Sequence, residues 1–488
     1  MSPTPVVRTR MAPSPTGEYH IGHLRTLLYN YAFAKKHHGQ FIIRIEDTDR
    51  KRFVDGAADR ILQVIKDYGL SWDEGPDIGG PYGPYIQTQR LEIYRQYIQQ
   101  LLDQGQAYYC FCTENRLSDM RTLQKAKKSL PKYDRHCLSL TKNQIVKNLK
   151  QNLPFVIRLR VPDHQTITFS DAIRGQISFN TDDVDDQILL KSDGIPTYHF
   201  AVVIDDHLMQ ISHVLRGDEW ISSVPKQILL YRYFNWEPPV FAHLPVFLDP
   251  SGKGKMSKRR GSVSARSFLE AGYLPESLLN FLMLLGWNPG DNREFFTLNE
   301  FIKAFSLEHL HTKQPVFDRP KLDYFNGYYL RQKSDSELAE LLKPFLPKTD
   351  NQTLNAIAPL VKERINTLQD AVPLTSFLFD NIDYDKQLLL QRGLTPELAR
   401  NMINQALSLL DTRFPDRHSI PEQAVQKLQT MLLDLIKTNS WNTGQFFMVF
   451  RIAIAGSPIT PPIVDCLPIL GKEKTINRLQ NAFAKLFV

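Results

Sequence analysis

Near the N-terminus the hydrophobic pattern changes period from strand to helix and back. Val6 to Ala12 reads as a short buried strand. From His20 onward Leu24, Leu27, Leu28 and Tyr31 recur at helical spacing, and Phe41 to Ile45 is a second apolar run. Between the first strand and the helix, Pro13 and Pro15 forbid regular pairing and impose an extended loop. Strand, loop, helix, strand is half of a doubly wound nucleotide-binding α/β fold. In such folds ligands sit where strand ends meet helix starts, and first-turn N–H groups attract anions. Ala57, Ile61, Ile65 and Tyr68 predict the next helix, and residues 68–85, rich in Gly and Pro, a loop. Leu91, Tyr94, Ile98, Leu101 and Leu102 predict a further helix, ended by Gly105.

Alternation in Val156–Val161 and Ile177–Phe179 predicts a β-containing insertion. Leu189 to Ala201 then returns to the nucleotide-binding fold. Val202-Val203-Ile204 is expected as a buried parallel strand with Asp205, Asp206 and His207 at its end, and Val214 to Trp220 as another strand and turn. Leu278 to Leu285 is helical. After residue 335 the pattern is helical throughout. One helix carries Leu338, Leu341, Leu342 and Phe345, and a second Leu354, Ile357, Val361, Ile365 and Leu368. A third carries Ala424, Leu428, Met431, Leu432 and Leu435.

Composition adds bounds. With 488 residues and 42% hydrophobic content the chain can bury sizeable cores, enough for roughly two to four domains. A net charge of +7 suits a polyanionic partner, though the excess is small for this length. Met-Ser-Pro-Thr-Pro at the start has no charged-then-apolar leader pattern, and no apolar run reaches membrane-spanning length. The 4 cysteines do not form a secreted disulfide framework. A cytoplasmic protein without a membrane partner is expected.

His20 and His23 share one face of the first helical turn, and Gly22 between them admits a flat ligand. An isolated pair at this spacing usually caps a helix or binds a metal. Glu46 to Asp49 follow the second strand, where carboxylates face the cleft or cap and pair at the surface. Cys110, Cys112 and Cys137 offer soft thiolates suited to Zn²⁺. Arg121, Lys125, Lys127 and Lys128 between them are too polar for a core, so a metal would staple a small subdomain there; the alternative is three unrelated buried thiols. Asp182, Asp183, Asp185 and Asp186 are read as a solvated turn without a site. Lys255-Met256-Ser257-Lys258-Arg259 lies among Gly252, Gly254 and Gly261, which give a basic loop mobility. Taken alone it imitates a nucleic-acid or localisation patch.

With Ala12-Pro-Ser-Pro-Thr-Gly17 before it and Arg44-Ile-Glu-Asp-Thr-Asp-Arg50 after it, His20-Ile-Gly-His23 resembles the first signature of class I aminoacyl-tRNA synthetases. The wording is that of the bacterial-type glutamyl-tRNA synthetase family, and Lys255 to Arg259 is similar to the second class I signature. The resemblance spans the whole chain, with specific motifs in 8–50 and 189–261 and only gross architecture after 335. It implies a Rossmann-type catalytic domain in two halves (1–87 and 189–235). Around them it implies an acceptor-end-binding insertion (88–188), a stem-contact region with the basic loop (236–332) and an all-α anticodon-binding region (333–488), entered near Phe325-Asn-Gly-Tyr-Tyr-Leu-Arg331.

The resemblance further implies a monomer that activates L-glutamate with ATP and Mg²⁺ and transfers it to tRNA-Glu. It places His20, Gly22, His23, Lys255, Met256, Ser257, Lys258 and Arg259 at ATP, with His20, His23, Lys255 and Lys258 catalytic. It places Arg10, Ala12, Ser14, Glu46, Tyr198, Arg216 and Trp220 around glutamate, Glu46 on the α-amino group and Arg10 and Arg216 on the side-chain carboxylate. Read from residue type alone, Tyr198 and Trp220 are ordinary core aromatics, whereas Arg216 at a strand end is harder to explain as packing. Some members hold a zinc with this Cys spacing. The His that versions of that motif carry two residues after the last Cys is Ser139 here, so Tyr133 is the first choice for fourth ligand and His136 the second. Arg364 is the candidate for reading the anticodon. Two other readings are a tRNA-modifying glutamyl transferase, opposed by the long helical region, and an inactive RNA-binding paralogue, opposed by His20, His23, Lys255 and Lys258. Whether tRNA-Gln is also charged is left open.

Overall fold

A computed structural model describes residues 6–249, 251, 254, 263–414 and 422–487. The basic loop Lys255 to Arg259, with Met256, Ser257 and Lys258, lies outside the described residues. The chain forms two compact units, Met1–Leu269 with Leu278–Arg319, and Glu270–Ser277 with Pro320–Val488.

In the first unit, β1 (Arg8–Met11), α1 (Ile21–Lys36) and β2 (Gln40–Ile43) make a parallel β-α-β unit, with Arg10 opposite Ile42. Helices α2 (Ala57–Asp67) and α3 (Leu91–Asp103) follow, and the loop between them joins Ile42 and Ile45 through bridges to Glu74 and Ile86. Next come β3 (Ala107–Cys110), α4 (Glu114–Ala126), α5 (Lys142–Lys150), β4 (Val156–Leu159), the hairpin β5 (Thr166–Asp171) and β6 (Gly175–Asn180), and β7 (Ile188–Leu190). Strands β3, β4 and β7 form an antiparallel sheet. The second half is α6 (Tyr198–Leu208), β8 (His213–Gly217), α7 (Val224–Tyr233) and β9 (Val240–Leu244), with β8 and β9 parallel. The Ser212 N–H donates to the Arg8 carbonyl, so parallel strands run in the order β2, β1, β8, β9. The β5–β6 hairpin extends this sheet by pairing Asp171 with Phe241 of β9.

Helix α1 is held on this sheet from nearly every side, with Leu24, Leu27, Leu28 and Tyr29 fully buried. The Asn30 amide donates to the Leu215 carbonyl, and the Thr9 hydroxyl donates to the Asn30 carbonyl, which ties α1 to β8 and β1. These bonds fix the helix N-terminus at the carboxyl ends of the strands, the usual ligand site of open α/β sheets.

The segment expected as a strand at Val202–Ile204 is instead the middle of α6. Phe200 to Asp206 are all buried, so the helix has no polar face and its sequence carries no period-3.6 signal. A short β-branched run without that signal cannot be told from a buried strand. The run Asp182–Asp186 is not a solvated turn throughout. Asp186 is buried and accepts from the Tyr108 hydroxyl at 2.7 Å, the Arg135 guanidinium at 2.9 Å and the Val161 N–H at 3.1 Å.

The second unit is helical among its described residues and has its own core, which includes Leu342, Leu354, Ile357, Met402, Phe446 and Leu479. Ile365 and Leu368 are buried in it as expected, but the helix Asn351–Val361 ends before them. Among the described residues no helix is long and apolar enough to cross a membrane.

Candidate active site and metal centre

A cavity of about 1140 Å³ opens where the carboxyl ends of β1 and β8 meet the start of α1. Its lining brings together Arg10, Ala12, Ser14, His20, Gly22, His23, Glu46, Tyr198, Arg216 and Trp220. His20 is the N-cap of α1, and its Nδ1 accepts the Gly22 N–H at 2.9 Å. An accepting nitrogen bears no proton, so the neutral ring carries its proton on Nε2. A Cβ on Gly22 would lie 3.2 Å from that Nδ1, so a side chain at 22 would disturb the cap. The His20 and His23 rings lie 6.1 Å apart. Two imidazoles beside a helix N-terminus form a place for anionic oxygen.

Beneath the cavity lies an ion network. Arg44 is fully buried, with Nη1 2.8 Å from Asp206, Nη2 2.9 Å from Glu46 and Nε 3.7 Å from Asp205. Arg10 meets both Asp206 oxygens, at 3.1 and 3.3 Å. Arg90 meets Asp205 at 2.7 Å, and Asp205 also accepts from Gln87 and Tyr94. Arg10, Arg44 and Arg90 thus balance Glu46, Asp205 and Asp206. Burial alone would raise Asp206, but Arg10 and Arg44 outweigh it and hold the carboxyl below its ordinary range. At Glu46 burial wins over Arg44 and Arg10, and its carboxyl is lifted.

Arg216 is also buried but makes no ion pair among the described residues. Its Nε donates to His243 Nε2 at 3.1 Å, Nη1 to the Tyr198 hydroxyl at 3.1 Å and Nη2 to Gln227 Oε1 at 2.8 Å. Neighbouring Asp218 is taken by Arg174 at 2.7 Å. A guanidinium has five N–H groups, so Arg216 retains one on Nη1 and one on Nη2. Two adjacent donors on an unneutralised cation match a carboxylate. Trp220 lies against Tyr198 with ring centroids 4.4 Å apart, closing that side.

The sulfurs of Cys110, Cys112 and Cys137 all lie within 4.8 Å of one another. The Tyr133 hydroxyl is 3.3 Å from Cys110 Sγ and 3.2 Å from Cys112 Sγ, while Cys112 and Cys137 Sγ are 3.5 Å apart. A tetrahedral ion about 2.3 Å from each sulfur sets ligands about 3.5–3.8 Å apart, so this donor set fits Zn²⁺. Hydrogen bonds from Cys137 above all, then from Tyr133 and Arg158, overcome burial and draw the Cys110 thiol down to about 4. Arg158 lies 3.9 Å over the Tyr133 ring, and Asp185 accepts the Tyr133 N–H at 2.7 Å, which fixes Tyr133 in place. His136 is exposed and outside this group. Helices α4 and α5 bury no residue, so the segment has little core apart from Tyr108, Tyr133, Cys110 and Cys137.

In the helical unit Arg364 is exposed just beyond Asn351–Val361. Burial chiefly, then the charges of Arg364 and Arg392, lowers the Arg451 pKa, so these arginines form one cationic patch. Sequence reasoning missed Asp171, Gln227, His243 and the Arg44 network. The only signal was a polar residue inside an apolar strand, His243 in Val240-Phe-Ala-His-Leu244.

A family model described as tRNA synthetases class I (E and Q), catalytic domain, matches residues 6–324, and an anticodon binding domain model matches residues 337–483. The chain is 43% identical to the glutamate–tRNA ligase of Clostridioides difficile, covering 97% of this chain and 98% of that protein. It is 40% identical to that of Borreliella afzelii, covering 99% of both. A crystal structure of a glutamate tRNA ligase from Elizabethkingia meningosepticum, in complex with its amino acid, superposes with a TM-score of 0.86 at 34% identity, covering 98% of this chain and 99% of that one.

Proposed function

The chain belongs to the class I glutamate–tRNA ligases, and on that footing we propose that it activates L-glutamate with ATP and esterifies tRNA-Glu through the cavity at the start of α1. The observation that carries this reading is Arg216, a buried guanidinium with two N–H groups left over and no counter-charge among the described residues, in the same cavity as His20 and His23.

The substrate side-chain carboxylate pairs with Arg216 beside Tyr198, with Arg10 nearby, and its ammonium with Glu46. Binding that ammonium favours the ionised form of a carboxyl that burial otherwise lifts. Ala12 and Ser14 line the loop beside it, and Trp220 backs Tyr198. ATP, as its Mg²⁺ complex, lies over Gly22. The α-carboxylate attacks the α-phosphorus, the bond to the bridging oxygen breaks, and diphosphate leaves with the electron pair. The Nε2 proton of His20, with His23, stabilises the charge that gathers there. Lys255 and Lys258, with Met256, Ser257 and Arg259, are the residues the family signature assigns to ATP, the two lysines to its β- and γ-phosphates. The 2′-OH of the terminal adenosine then attacks the adenylate carbonyl and AMP departs. Proximity and electrostatics do this without a covalent enzyme intermediate. The cationic patch around Arg364 suits the anticodon stem-loop.

Pyrophosphate exchange with glutamate, with and without tRNA, tests the reading, and no exchange under either condition refutes it. Charging of purified tRNA-Glu and tRNA-Gln decides whether the second is also a substrate. Lys258→Ala is expected to lower adenylate formation by about 3 kcal/mol, roughly a hundredfold, with little change in tRNA affinity. An unchanged exchange rate removes Lys258 from the mechanism.

Cys110, Cys112, Cys137 and Tyr133 would hold a structural Zn²⁺ that replaces the missing core around α4. Protein never exposed to chelator is expected to carry zinc by elemental analysis, weakened by Tyr133→Phe and unaffected by His136→Ala. Metal-free protein sinks the site, and the reverse response of the two variants reassigns the fourth ligand.

A further inference from the structure

Asp171, His243 and Arg216 stand on adjacent strands, β5, β9 and β8, and their side chains form one chain of contacts. Asp171 Oδ2 lies 2.6 Å from His243 Nδ1, and His243 Nε2 accepts from Arg216 Nε at 3.1 Å. Asp171 and His243 are 2% and 0% exposed. The Asp171 carboxylate also accepts the N–H groups of Ile173 and Arg174 at 3.0 Å each, and that of His243 at 3.1 Å. Every one of these neighbours is a donor, so the aspartate faces His243 only as an acceptor. The imidazole proton is therefore on Nδ1, and the Nε2 lone pair is turned to Arg216.

We propose that Asp171 and His243 are positioning residues that set the preference for glutamate over glutamine by fixing the Arg216 fork without neutralising it. This rests on the reading of Arg216 as the partner of the substrate side-chain carboxylate. A carboxylate touching Arg216 directly would cancel the charge that the substrate needs. A neutral histidine orients the guanidinium, and the compensating negative charge stays one ring away. With Nε tied to His243, Nη1 to Tyr198 and Nη2 to Gln227, the two remaining N–H groups form a fixed pair of donors. Glutamate offers that pair two oxygens. Glutamine offers one oxygen and one NH₂, so a fork that cannot turn meets a donor with a donor. A fork released from His243 can turn and accept the amide.

Asp171→Asn separates orientation from mere packing. Its amide NH₂ can face His243 Nδ1, shift the imidazole proton to Nε2 and set donor against donor at Arg216. Pyrophosphate exchange, with tRNA-Glu present and rates taken per titrated active site, is expected to show the glutamate-to-glutamine ratio of kcat/KM falling about tenfold or more. The loss falls mainly on the glutamate KM, and the ATP KM stays within about twofold. The double variant Asp171→Asn/His243→Gln supplies a carbonyl acceptor that needs no carboxylate to hold its tautomer, and it is expected to recover much of the lost ratio. A ratio in Asp171→Asn within about twofold of the parent overturns the relay, as does a parallel loss of both substrates that the double variant does not rescue. Arg216→Ala is the control. If it too leaves the ratio unchanged, the reading of Arg216 itself fails; if it abolishes the preference while Asp171→Asn does not, only the relay fails.

Discussion

Arg216→Met is expected to collapse kcat/KM for glutamate by about thirty- to several-thousand-fold, roughly 2–5 kcal/mol, while weak activation of glutamine persists or rises. Arg10 and Arg216, the two cations proposed to meet the glutamate side chain, line one cavity, but their charges are met differently. Arg10 is held by both oxygens of Asp206, within a network whose guanidinium and carboxylate charges balance. Among the described residues the hydrogen bonds of Arg216 go to His243, Tyr198 and Gln227, all neutral groups. A buried cation without a counter-charge carries an unpaid desolvation cost, which an arriving carboxylate relieves and an amide does not. The internal pairing that would make Arg216 structural, with Asp218 or Glu219, is not formed among the described residues, and Asp218 is held by Arg174. The variant is also relieved of a buried charge, so its folding stability is expected to hold. A variant that is merely less stable, with an unchanged glutamate KM, would make Arg216 structural and leave selection to Arg10.

Arg44→Met is expected to have the largest effect on stability, about 3–5 kcal/mol at neutral pH. Arg44 is fully buried against Asp206, Glu46 and, farther off, Asp205. Removing it leaves buried carboxylates without their main counter-charge. The pH dependence follows from Asp206, whose carboxyl Arg10 and Arg44 hold below its ordinary value against burial. A depressed carboxyl stabilises the fold above its unfolded pKa of about 3.9 and loses that contribution as the pH falls through the folded value. Loss of Arg44 also lifts Glu46 further, a penalty felt only while the unfolded carboxyl is ionised. Urea unfolding is therefore expected to show a gap between parent and variant that is widest near pH 7 and narrows towards pH 4 as the lifted Glu46 takes up its proton. The gap narrows further below about pH 3.9, as Asp206 is protonated in the parent. A gap that is small at pH 7, or constant with pH, would mean that Arg10 and Arg90 hold these carboxylates without it.

What the sequence revealed and what it hid differ by range. β1, α1 and β2 were legible because their hydrophobic periods change at prolines and glycines that also act locally. The three sulfurs were legible from spacing, and Tyr133 from its place four residues before Cys137. Helix α6 was not, since a helix buried all round has no polar stripe to read. Asp205 and Asp206, expected at the end of a strand, serve opposite parts of one buried network. Asp171 and His243 belong to no motif and meet across 72 positions of chain. Nothing local in the sequence pairs them.

The β5–β6 hairpin has a consequence for transplanting parts of this enzyme. It belongs in sequence to the segment between the two catalytic halves, yet its first strand is stitched onto β9 and delivers Asp171 beneath His243. A chimaera that exchanged residues 88–188 as a cassette would carry away part of the wall behind Arg216 along with the rest of that segment. Seams drawn on either side of the hairpin, rather than after it, would leave the surroundings of Arg216 whole. The interposed segment is grafted into the catalytic half, not merely hung from it.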